Sequence, residues 1–433
     1  MRKFLIVDTS VLLYDRDSIS SFPGNDVILP LTVLDELDRN KQKPGLVGEN
    51  ARYVNRYLDS LRAIGRLDKG VKIPTSDQTI QIYTRDPSEL VAQHNLDEKL
   101  GDNRIISVAL ELQTKSKKKQ VIVVSKDINL RVKCDALGIK AEDYYRDYIN
   151  SSSVDLEAPA PTIEVSDEQV DEIYDLGRTS FIPDVGSDMR QNQYLVCKSS
   201  SGKSALGRYR DGVIHKVKGY EFKKLGQISP KNKEQNFALD ALGSQDIDLV
   251  CLTGIAGSGK TFITLMAALD ALQSGRYERI VITRSIQPVG KDIGFLPGDI
   301  REKMAPWMAP LVDNFRYAFK DMSYFDMMLD KGLIDIAPLS FIRGRTFNKS
   351  IVIVDEAQNA TIHELKTLIT RVGLESKVVL MGDTDQVDTP YIDKRSNGLS
   401  IVVDKMREFG VAAHIHLPKG ERSELATLAS KVL

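Results

Sequence analysis

The sequence predicts a multidomain α/β protein in which two domains built on parallel sheets flank a small β-module. Three observations lead to this fold class. The chain has 433 residues, which is too long for one ordinary domain. Short apolar runs alternate with amphipathic stretches of helical spacing in residues 1–148 and again in residues 231–433, as in parallel sheets covered by helices. Between these parts, short apolar segments are separated by turns rich in Ser and Gly.

The composition is that of a soluble globular protein, with 42% apolar and 27% charged residues. No run of about 18 apolar residues occurs, so we expect no membrane-spanning helix and no membrane contact. The basic pair at the N-terminus is followed almost at once by Asp8, which argues against a signal peptide. The scattered cysteines Cys134, Cys197 and Cys251 argue against disulfides or a zinc site, and predict a reducing, cytoplasmic location.

The N-terminal domain, residues 1–148, is predicted to contain a parallel sheet with helices on its faces. Its strands are apolar runs without polar alternation, as expected for strands that are buried on both faces. These strands are Phe4–Val7, residues 121–125 and, more weakly, Asp26–Pro30. Residues 49–61 and 103–113 have apolar side chains at helical spacing and are predicted helices.

Four acidic residues follow these elements at positions where they could meet. Asp8 and Asp127 come after predicted strands, and Glu36 and Asp102 lie at or near predicted helix starts. Four carboxylates in one pocket repel one another and stay ionised only around divalent cations. Such a site could hold one or two Mg²⁺ or Mn²⁺ ions that activate water for phosphodiester cleavage. Each acid alone could equally be a helix cap or a solvated charge.

A linker with an adaptor helix, residues 149–189, and a basic β-module, residues 190–230, are predicted next. Residues 151–165 are rich in Ser, Pro and Ala, and residues 166–176 are helical. The predicted strands of the module are residues 194–198, 205–209 and 213–217. Its basic side chains include Lys198, Lys203, Arg208, Arg210, Lys216, Lys218, Lys223 and Lys224, against the acids Asp211 and Glu221. The module could bind a phosphate backbone or be a solvated spacer, and the sequence leaves both open.

The C-terminal domain contains a phosphate-binding loop, GIAGSGKT at residues 254–261. The loop follows an apolar strand at residues 248–253 and precedes a helix at residues 262–272, as the motif requires. We expect Lys260 to bridge the β- and γ-phosphates of ATP and the Thr261 hydroxyl to bind Mg²⁺. The predicted nucleotide contacts of the loop are Gly254, Ile255, Ala256, Gly257, Ser258, Gly259, Lys260 and Thr261.

A second motif, IVIVDEAQNA at residues 351–360, delivers two acids at the end of an apolar strand. Ligands of open α/β sheets bind at this edge. We expect Asp355 to hold Mg²⁺ and Glu356 to act as the general base for the attacking water. Two adjacent acids could also cap a helix, but the loop would then lack its metal carboxylate. The other predicted strands are residues 279–283, 350–354 and 377–381.

Three more polar residues are candidates for the nucleotide site. Gln386, in LMGDTDQ, could sense the γ-phosphate through a hydrogen bond. Gln235, shortly before the loop strand, could bind the adenine edge through its amide. Arg422, in KGERSELATLAS, could neutralise the transferred phosphoryl group in cis or across a subunit boundary. Plain surface roles remain open for Gln235 and Arg422.

These motifs, with TRSIQPVGKDIGFLPGDIREKMAPWMAPL at residues 283–311, resemble the PhoH-like ATPase family over residues 231–433. Their order also resembles the core of superfamily 1 helicases. The resemblance implies ATPase activity, and extends to RNA unwinding and a ring-shaped oligomer. The second RecA-like helicase domain has no counterpart after residue 390, so neighbouring subunits would complete the sites. A homohexamer is therefore the expected assembly.

Residues 1–148 resemble the PIN-domain ribonucleases, whose four acidic positions match Asp8, Glu36, Asp102 and Asp127. The resemblance also assigns Thr9, Ser10, Ser125 and Asn129 to small polar positions that orient metal or phosphate. The whole chain resembles PIN–PhoH fusion proteins, whose middle is a TRAM-like RNA-binding module. This resemblance implies RNA, single-stranded or partly paired, as the partner.

Three functions stay open at this point. The chain could be an ATP-driven ribonuclease that pulls or unwinds RNA and cuts it. It could be a motor or switch ATPase whose acidic pocket is inert and only binds RNA or protein. It could also be an RNA scaffold whose ATP site sets the oligomeric state. The complete acid set favours the first function, and Glu356 disfavours the third.

Overall fold

The computed structural model describes residues 2–43, 45–73, 76–116, 119–144, 156–180, 189–220, 222, 229–284, 309, 312–316, 322–342, 344–388, 394 and 396–421. The chain divides into two units, Met1–Arg146 and Asp147–Leu433. Some predicted features lie outside the described residues, namely most of residues 283–311, residues 151–155, Glu221, Lys223, Lys224 and Arg422. Among the described helices, none combines the length and apolar composition that a membrane crossing needs.

The first unit is a mainly parallel sheet with helices packed against it. Its elements are β1 (Phe4–Val7), α1 (Thr9–Tyr14), β2 (Asp26–Pro30), α2 (Leu31–Asn40), α3 (Gly45–Arg62), β3 (Val71–Ile73), β4 (Gln78–Tyr83), α4 (Glu89–Ala92), α5 (Gly101–Lys115), β5 (Val121–Val124), α6 (Ile128–Ala136) and β6 (Lys140–Glu142). In the described residues the strand order is β3-β4-β2-β1-β5-β6, and only β3 runs antiparallel to its neighbour. The central strands β1, β2 and β5 are buried along nearly their whole length, which explains their uninterrupted apolar runs.

The second unit begins with a small sheet. Its elements are β7 (Thr162–Glu164), α7 (Asp167–Asp175), β8 (Arg178–Ser180), β9 (Gln193–Lys198), β10 (Ser204–Arg210) and β11 (Val213–Lys216). The described strands pair in the order β7-β9-β10-β11-β8, all antiparallel except β7 with β9. Helix α7 starts with a capping box of Ser166 and Gln169, and it buries Val170 and Ile173 against the sheet.

Part of the predicted linker is instead ordered structure of the second unit. Residues 162–164 form β7, which pairs with β9, and Leu156 is only 7% exposed within an apolar cluster of the C-terminal sheet. The sequence, rich in Ser, Pro and Ala, did not predict this ordered structure, because a three-residue edge strand and one buried leucine produce no periodic pattern. Among the described residues of this segment, 156–164 are therefore attached to the second unit.

The rest of the second unit is a parallel sheet covered on both faces. Its elements are α8 (Lys233–Gly243), β12 (Leu249–Gly254), α9 (Lys260–Gln273), β13 (Arg279–Arg284), α10 (Ser323–Asp330), β14 (Ile334–Pro338), β15 (Ser350–Asp355), α11 (Ile362–Ile369), β16 (Lys377–Gly382), α12 (Gly398–Met406) and β17 (Ala412–Leu417). The described strands run parallel in the order β14-β13-β15-β16-β12-β17. Their carboxyl ends share one edge, where ligands of such sheets bind.

Candidate functional sites

The phosphate-binding loop lies between β12 and α9, as predicted. Gly257 and Gly259 have φ angles of 79° and 91°, in the left-handed region that glycine adopts without strain. Gly259 also needs to lack a side chain, because a Cβ there would lie 2.9 Å from the amide nitrogen of Gln235. The Lys260 ammonium donates to the carbonyls of Gly254 at 2.6 Å and Ile255 at 3.0 Å. These contacts hold the ammonium against its own loop.

Asp355 ends β15 beside the start of α9. The Thr261 hydroxyl lies 3.5 Å from the Asp355 carboxylate, at the limit of a hydrogen bond. Burial raises the pKa of Asp355 to about 6, and the neighbouring Glu356 charge adds to the rise. A buried carboxyl with a raised pKa is a group that a nearby cation would stabilise in its ionised form. The pair of Asp355 and Thr261 therefore suits the oxygen-ligand chemistry of Mg²⁺.

Glu356 is held by two side chains that the sequence interpretation did not single out. Its φ of 51° is left-handed, which is a strained conformation for a glutamate and occurs often at functional sites. Gln358, fully buried, donates from its amide to the Glu356 carboxylate at 2.6 Å. The guanidinium of Arg284 lies 3.5 Å from the other carboxylate oxygen. A sequence signal existed for Arg284, which ends the apolar strand β13, whereas Gln358 lies three residues beyond the end of β15 and had none.

The loop after β16, residues 383–388, is called the sensor loop here. The Gln386 side chain donates to the Asp383 carboxylate at 3.0 Å, and its backbone carbonyl accepts from Gln358 at 3.0 Å. The Asp383 N–H donates to the Gln358 side-chain oxygen at 3.2 Å. One buried amide, that of Gln358, thus joins the sensor loop to Glu356.

Gln235 lies beneath the phosphate-binding loop and is 4% exposed. Its amide nitrogen donates to the Ser258 carbonyl at 3.1 Å, and its amide oxygen accepts from the Lys231 N–H at 2.9 Å. To contact adenine, the Gln235 amide would have to break these hydrogen bonds and form new ones with the base. Arg422 lies outside the described residues, but Glu421 donates its N–H to the Gly257 carbonyl at 2.9 Å. The chain therefore reaches the phosphate-binding loop one residue before Arg422.

In the first unit, Asp8 directly follows β1 and is 5% exposed. Ser125 donates to its carboxylate at 2.6 Å, and Ser10 donates to the same oxygen. Burial raises the pKa of Asp8, although the two serine hydroxyls lower it, and the Asp102 charge raises it further. A bound cation would favour the ionised form of a buried acid of this kind.

Glu36, on α2, lies near Asp8 and Asp102. Burial raises the pKa of Glu36, and the charges of Asp8 and Asp102 raise it too, while a hydrogen bond from Thr9 at 2.5 Å lowers it. Gly101 permits the approach, because a Cβ there would lie 2.2 Å from a Glu36 carboxylate oxygen. The structure therefore brings Asp8, Glu36 and Asp102 into one electrostatic group.

Asp127 caps α6, and its carboxylate accepts from the N–H groups of Asn129 at 2.7 Å and Leu130 at 3.3 Å. Its own N–H donates to the Ser125 hydroxyl at 2.9 Å, which connects it to the Asp8 hydrogen bonds. Within the described residues, no three His, Cys, Asp or Glu side chains stand close enough to hold a metal ion. The sequence interpretation also missed Lys133, whose ammonium lies 3.7 Å from Asp102.

Much of the predicted positive charge of the β-module is already paired. Lys203 contacts Asp171 at 2.7 Å, and Arg208 contacts Asp246 at 3.2 Å. Arg210 also pairs with Asp246, and the Lys216 ammonium lies 4.8 Å from the ring centre of Tyr174. Lys198 and Lys218 remain exposed. The charge available for a phosphate backbone is therefore smaller than the composition predicts.

Comparison with known proteins assigns both units. A family model described as PhoH-like protein matches residues 227–431, and one described as PIN domain matches residues 5–145. Protein PhoH2 of Bacillus subtilis is 40% identical over the full length of both chains. The chain belongs to the PhoH2 family. Two further PhoH2 proteins, from Thermobispora bispora and Mycolicibacterium smegmatis, are 34% and 33% identical, each over 99% of this chain and 96% of its own.

Membership in the PhoH2 family confirms the predicted PIN–PhoH architecture and the α/β fold class. The N-terminal unit contains the PIN domain, which is nuclease-like, and the C-terminal part is a PhoH domain, which is P-loop ATPase-like. Glu36, Gln235, Gln386 and the other predicted site residues within the described parts all lie at or beside these two centres. Their individual roles stay predictions.

Proposed function

We propose that this PhoH2 chain is an ATP-dependent RNA-processing enzyme, in which a P-loop ATPase with RNA helicase-like action is coupled to a metal-dependent endoribonuclease. The observation that carries the proposal is the meeting of Thr261, Asp355 and Glu356 at the carboxyl edge of one parallel sheet. A nucleotide-binding scaffold without hydrolysis would have little need for a glutamate in a strained backbone conformation beside the carboxylate of Asp355.

In the proposed ATPase reaction, the loop amides of residues 254–261 bind the phosphates and Lys260 leaves its own loop carbonyls to contact the β- and γ-phosphates. Thr261 and Asp355 would hold Mg²⁺, which neutralises charge on the phosphates when bound. Glu356 accepts the proton of the attacking water. Gln386 senses the γ-phosphate, and Gln235 contacts the adenine after giving up its hydrogen bonds with Ser258 and Lys231.

In the proposed nuclease reaction, Asp8, Glu36, Asp102 and Asp127 would hold one or two Mg²⁺ or Mn²⁺ ions, which activate water when bound. The raised pKa values of Asp8 and Glu36 support this role, because clustered buried carboxyls are stabilised by cations. Ser10 and Ser125 orient Asp8 through their hydroxyls. The substrate would be RNA, single-stranded or partly paired, which the β-module helps to bind.

The second candidate function is an ATPase switch or motor whose PIN domain is inert and binds RNA or protein. The observation in its favour is that Asp127 caps α6 and that the described acids do not form a metal-binding group. The two candidates differ in one measurement, the cleavage of end-labelled single-stranded RNA with and without Mg²⁺ and ATP. Cleavage that EDTA abolishes supports the ribonuclease, whereas intact RNA with normal ATP hydrolysis supports the inert PIN domain.

The proposed assembly is a ring of identical subunits in the cytoplasm, with a hexamer favoured. A PhoH domain has one nucleotide core, so an arginine such as Arg422 would complete the site, in cis or from a neighbouring subunit. Support for a role of Arg422 comes from its neighbour Glu421, which contacts the phosphate-binding loop of its own chain through its N–H. Sedimentation at micromolar concentration tests the assembly directly.

A further inference from the structure

The connecting segment, residues 156–161, lies against the PhoH domain immediately before β7. Leu156 is 7% exposed and belongs to the apolar cluster that contains Val354 of β15 and Leu380 of β16. Both of these strands end at the ATPase site. The segment is therefore anchored in the same apolar core of the PhoH domain as these strands.

Glu157, the next residue, contacts the sensor loop itself. The Thr384 hydroxyl donates to the Glu157 carboxylate at 3.1 Å, and Thr384 is only 3% exposed. Lys394 forms an ion pair with the same carboxylate and lies 2.9 Å from Asp385. Two consecutive residues of the sensor loop are thus tied to the connecting segment, one directly and one through Lys394.

The opposite side of the sensor loop is tied to the general base. Gln358 accepts from the Asp383 N–H at 3.2 Å and donates to Glu356 at 2.6 Å and to the Gln386 carbonyl at 3.0 Å. Asp383 and Thr384, the buried part of this loop, are hydrogen-bonded on opposite sides, so a shift on one side strains the contacts on the other. A movement of Gln386 would therefore shift Glu157, and a movement of Glu157 would shift Gln386.

We propose that Glu157 is a positioning residue for ATP hydrolysis, which holds the sensor loop through Thr384 and makes the connecting segment respond to the nucleotide. The proposal rests on the proposed ATPase function. Because coupling between two sites is reciprocal for binding, nucleotide should also change how firmly the segment is held. The connecting segment leads directly into β7 of the small sheet and contacts the sensor loop through Glu157, and in sequence it follows the PIN domain.

The test uses the full-length chain and steady-state ATP hydrolysis. Glu157→Ala removes the acceptor of the Thr384 hydroxyl, and Thr384→Val removes the donor at nearly constant volume. We expect each change to lower kcat about 3- to 10-fold with KM within about twofold, because the sensor acts after ATP has bound. The double variant should be no slower than Glu157→Ala, since both changes remove the same hydrogen bond and only Glu157→Ala also removes the ion pair with Lys394. Glu157→Gln keeps an acceptor oxygen and should restore most of kcat.

The matched control is Glu164→Ala, which removes an exposed acid of β7 away from the sensor loop. Its kcat should equal that of the wild type. Hydrogen exchange supplies the reciprocal readout: backbone amides of residues 156–164 should exchange more slowly with ATP and Mg²⁺ in the wild type, and not in Glu157→Ala. A merely structural role for Glu157 would lower the melting temperature without this nucleotide dependence.

Failure of the inference and failure of the ATPase function give different results. If Lys260→Ala hydrolyses ATP at the wild-type rate, the ATPase function itself is wrong. If Lys260→Ala is inactive while Glu157→Ala and Thr384→Val keep the wild-type kcat, the positioning role is wrong. Multiplied losses in the double variant would also overturn it, because they would show that the two residues act independently.

Discussion

At the residue scale, the main feature is a set of carboxyls that the fold buries despite the cost. Asp8, Glu36 and Asp355 all have raised pKa values, and burial is the largest cause for each. Burying an ionised carboxylate without a strong partner destabilises a protein. Such groups persist where a cation or a reaction needs them, so their placement at the sheet edges is itself an argument for function.

Substitutions of Lys260 and Glu356 should impair different steps, nucleotide binding and hydrolysis respectively. Lys260→Ala removes the charged donor to the phosphates, and we expect ATP affinity to fall about 10- to 100-fold. Glu356→Gln keeps the size but cannot accept a proton, so ATP should bind normally while kcat falls at least about 100-fold. Nucleotide titration and phosphate release distinguish these outcomes. Glu375→Gln is the control, since Glu375 is an exposed glutamate with the same left-handed backbone.

Asp355→Asn should stabilise the protein while removing its activity. The pKa of Asp355 is about 6 in the fold against an ordinary value of 3.8, so the folded state binds the proton more tightly. The ionised carboxyl therefore destabilises the fold above pH 6, and this cost is relieved as the pH falls from about 6 towards 4.

Urea unfolding in EDTA should accordingly show Asp355→Asn more stable than the wild type at pH 8 by on the order of 2 kcal/mol, and the difference should shrink near pH 4. Asp175→Asn, at an exposed position on α7, should show no such difference. Lower stability of Asp355→Asn at pH 8 would contradict the burial argument. Mg²⁺-dependent ATP hydrolysis should be lost in the same variant.

At the element scale, the central strands of both parallel sheets could be predicted and the edge strands could not. Strands β1, β2, β12, β15 and β16 are buried runs of apolar residues, and the sequence shows them directly. Strands β3, β6 and β7 have three residues each, and each includes exposed positions. They form by pairing with a neighbouring strand and not through an apolar pattern of their own. The same limit applies to Gln358 and Glu157, whose roles depend on tertiary contacts that no local pattern encodes.

Lys377 is a buried lysine at the start of β16 that holds the backbone between α8 and β12 in place. Its ammonium donates to the carbonyls of Ala241 at 3.0 Å, Ser244 at 2.8 Å and Ile247 at 2.5 Å, at the end of α8 and in the turn before β12. Lys377→Met would leave these buried carbonyls without their donor, and we expect a loss of about 2–4 kcal/mol in unfolding free energy. Lys405→Met, at an exposed site on α12, should change it by less than about 0.5 kcal/mol.

At the scale of the whole molecule, the first question is whether neighbouring subunits complete the ATPase site. If Arg422 acts across a subunit boundary, Arg422→Ala should lower hydrolysis while ATP binding persists. Mixing it with Lys260→Ala should restore part of the activity, because each chain supplies what its neighbour lacks. Sedimentation of the mixture and of each variant is the accompanying measurement. A fully active monomer at micromolar concentration would exclude the shared site.

The second question is whether the proposed nuclease and ATPase centres are separable, and the division of the chain into two units favours this. Asp8→Asn replaces a carboxylate that we propose binds metal by a far weaker amide ligand, so RNA cleavage should fall at least about 100-fold. ATP hydrolysis should stay within about twofold of the wild type, because the PhoH domain has its own sheet and core. Asp175→Asn again serves as the control for the loss of one carboxylate.

A fragment that ends near residue 150 should then cut unstructured RNA without ATP and fail on paired RNA, which only the ATPase could open. The assay compares full-length protein, Asp8→Asn and the fragment on both substrates, each with and without EDTA. Undiminished cutting by Asp8→Asn, or cutting that EDTA does not affect, would show that the acids around Asp8 are not the nuclease site. Equal cutting of paired RNA by the fragment and the full chain would instead separate the ATPase from RNA opening.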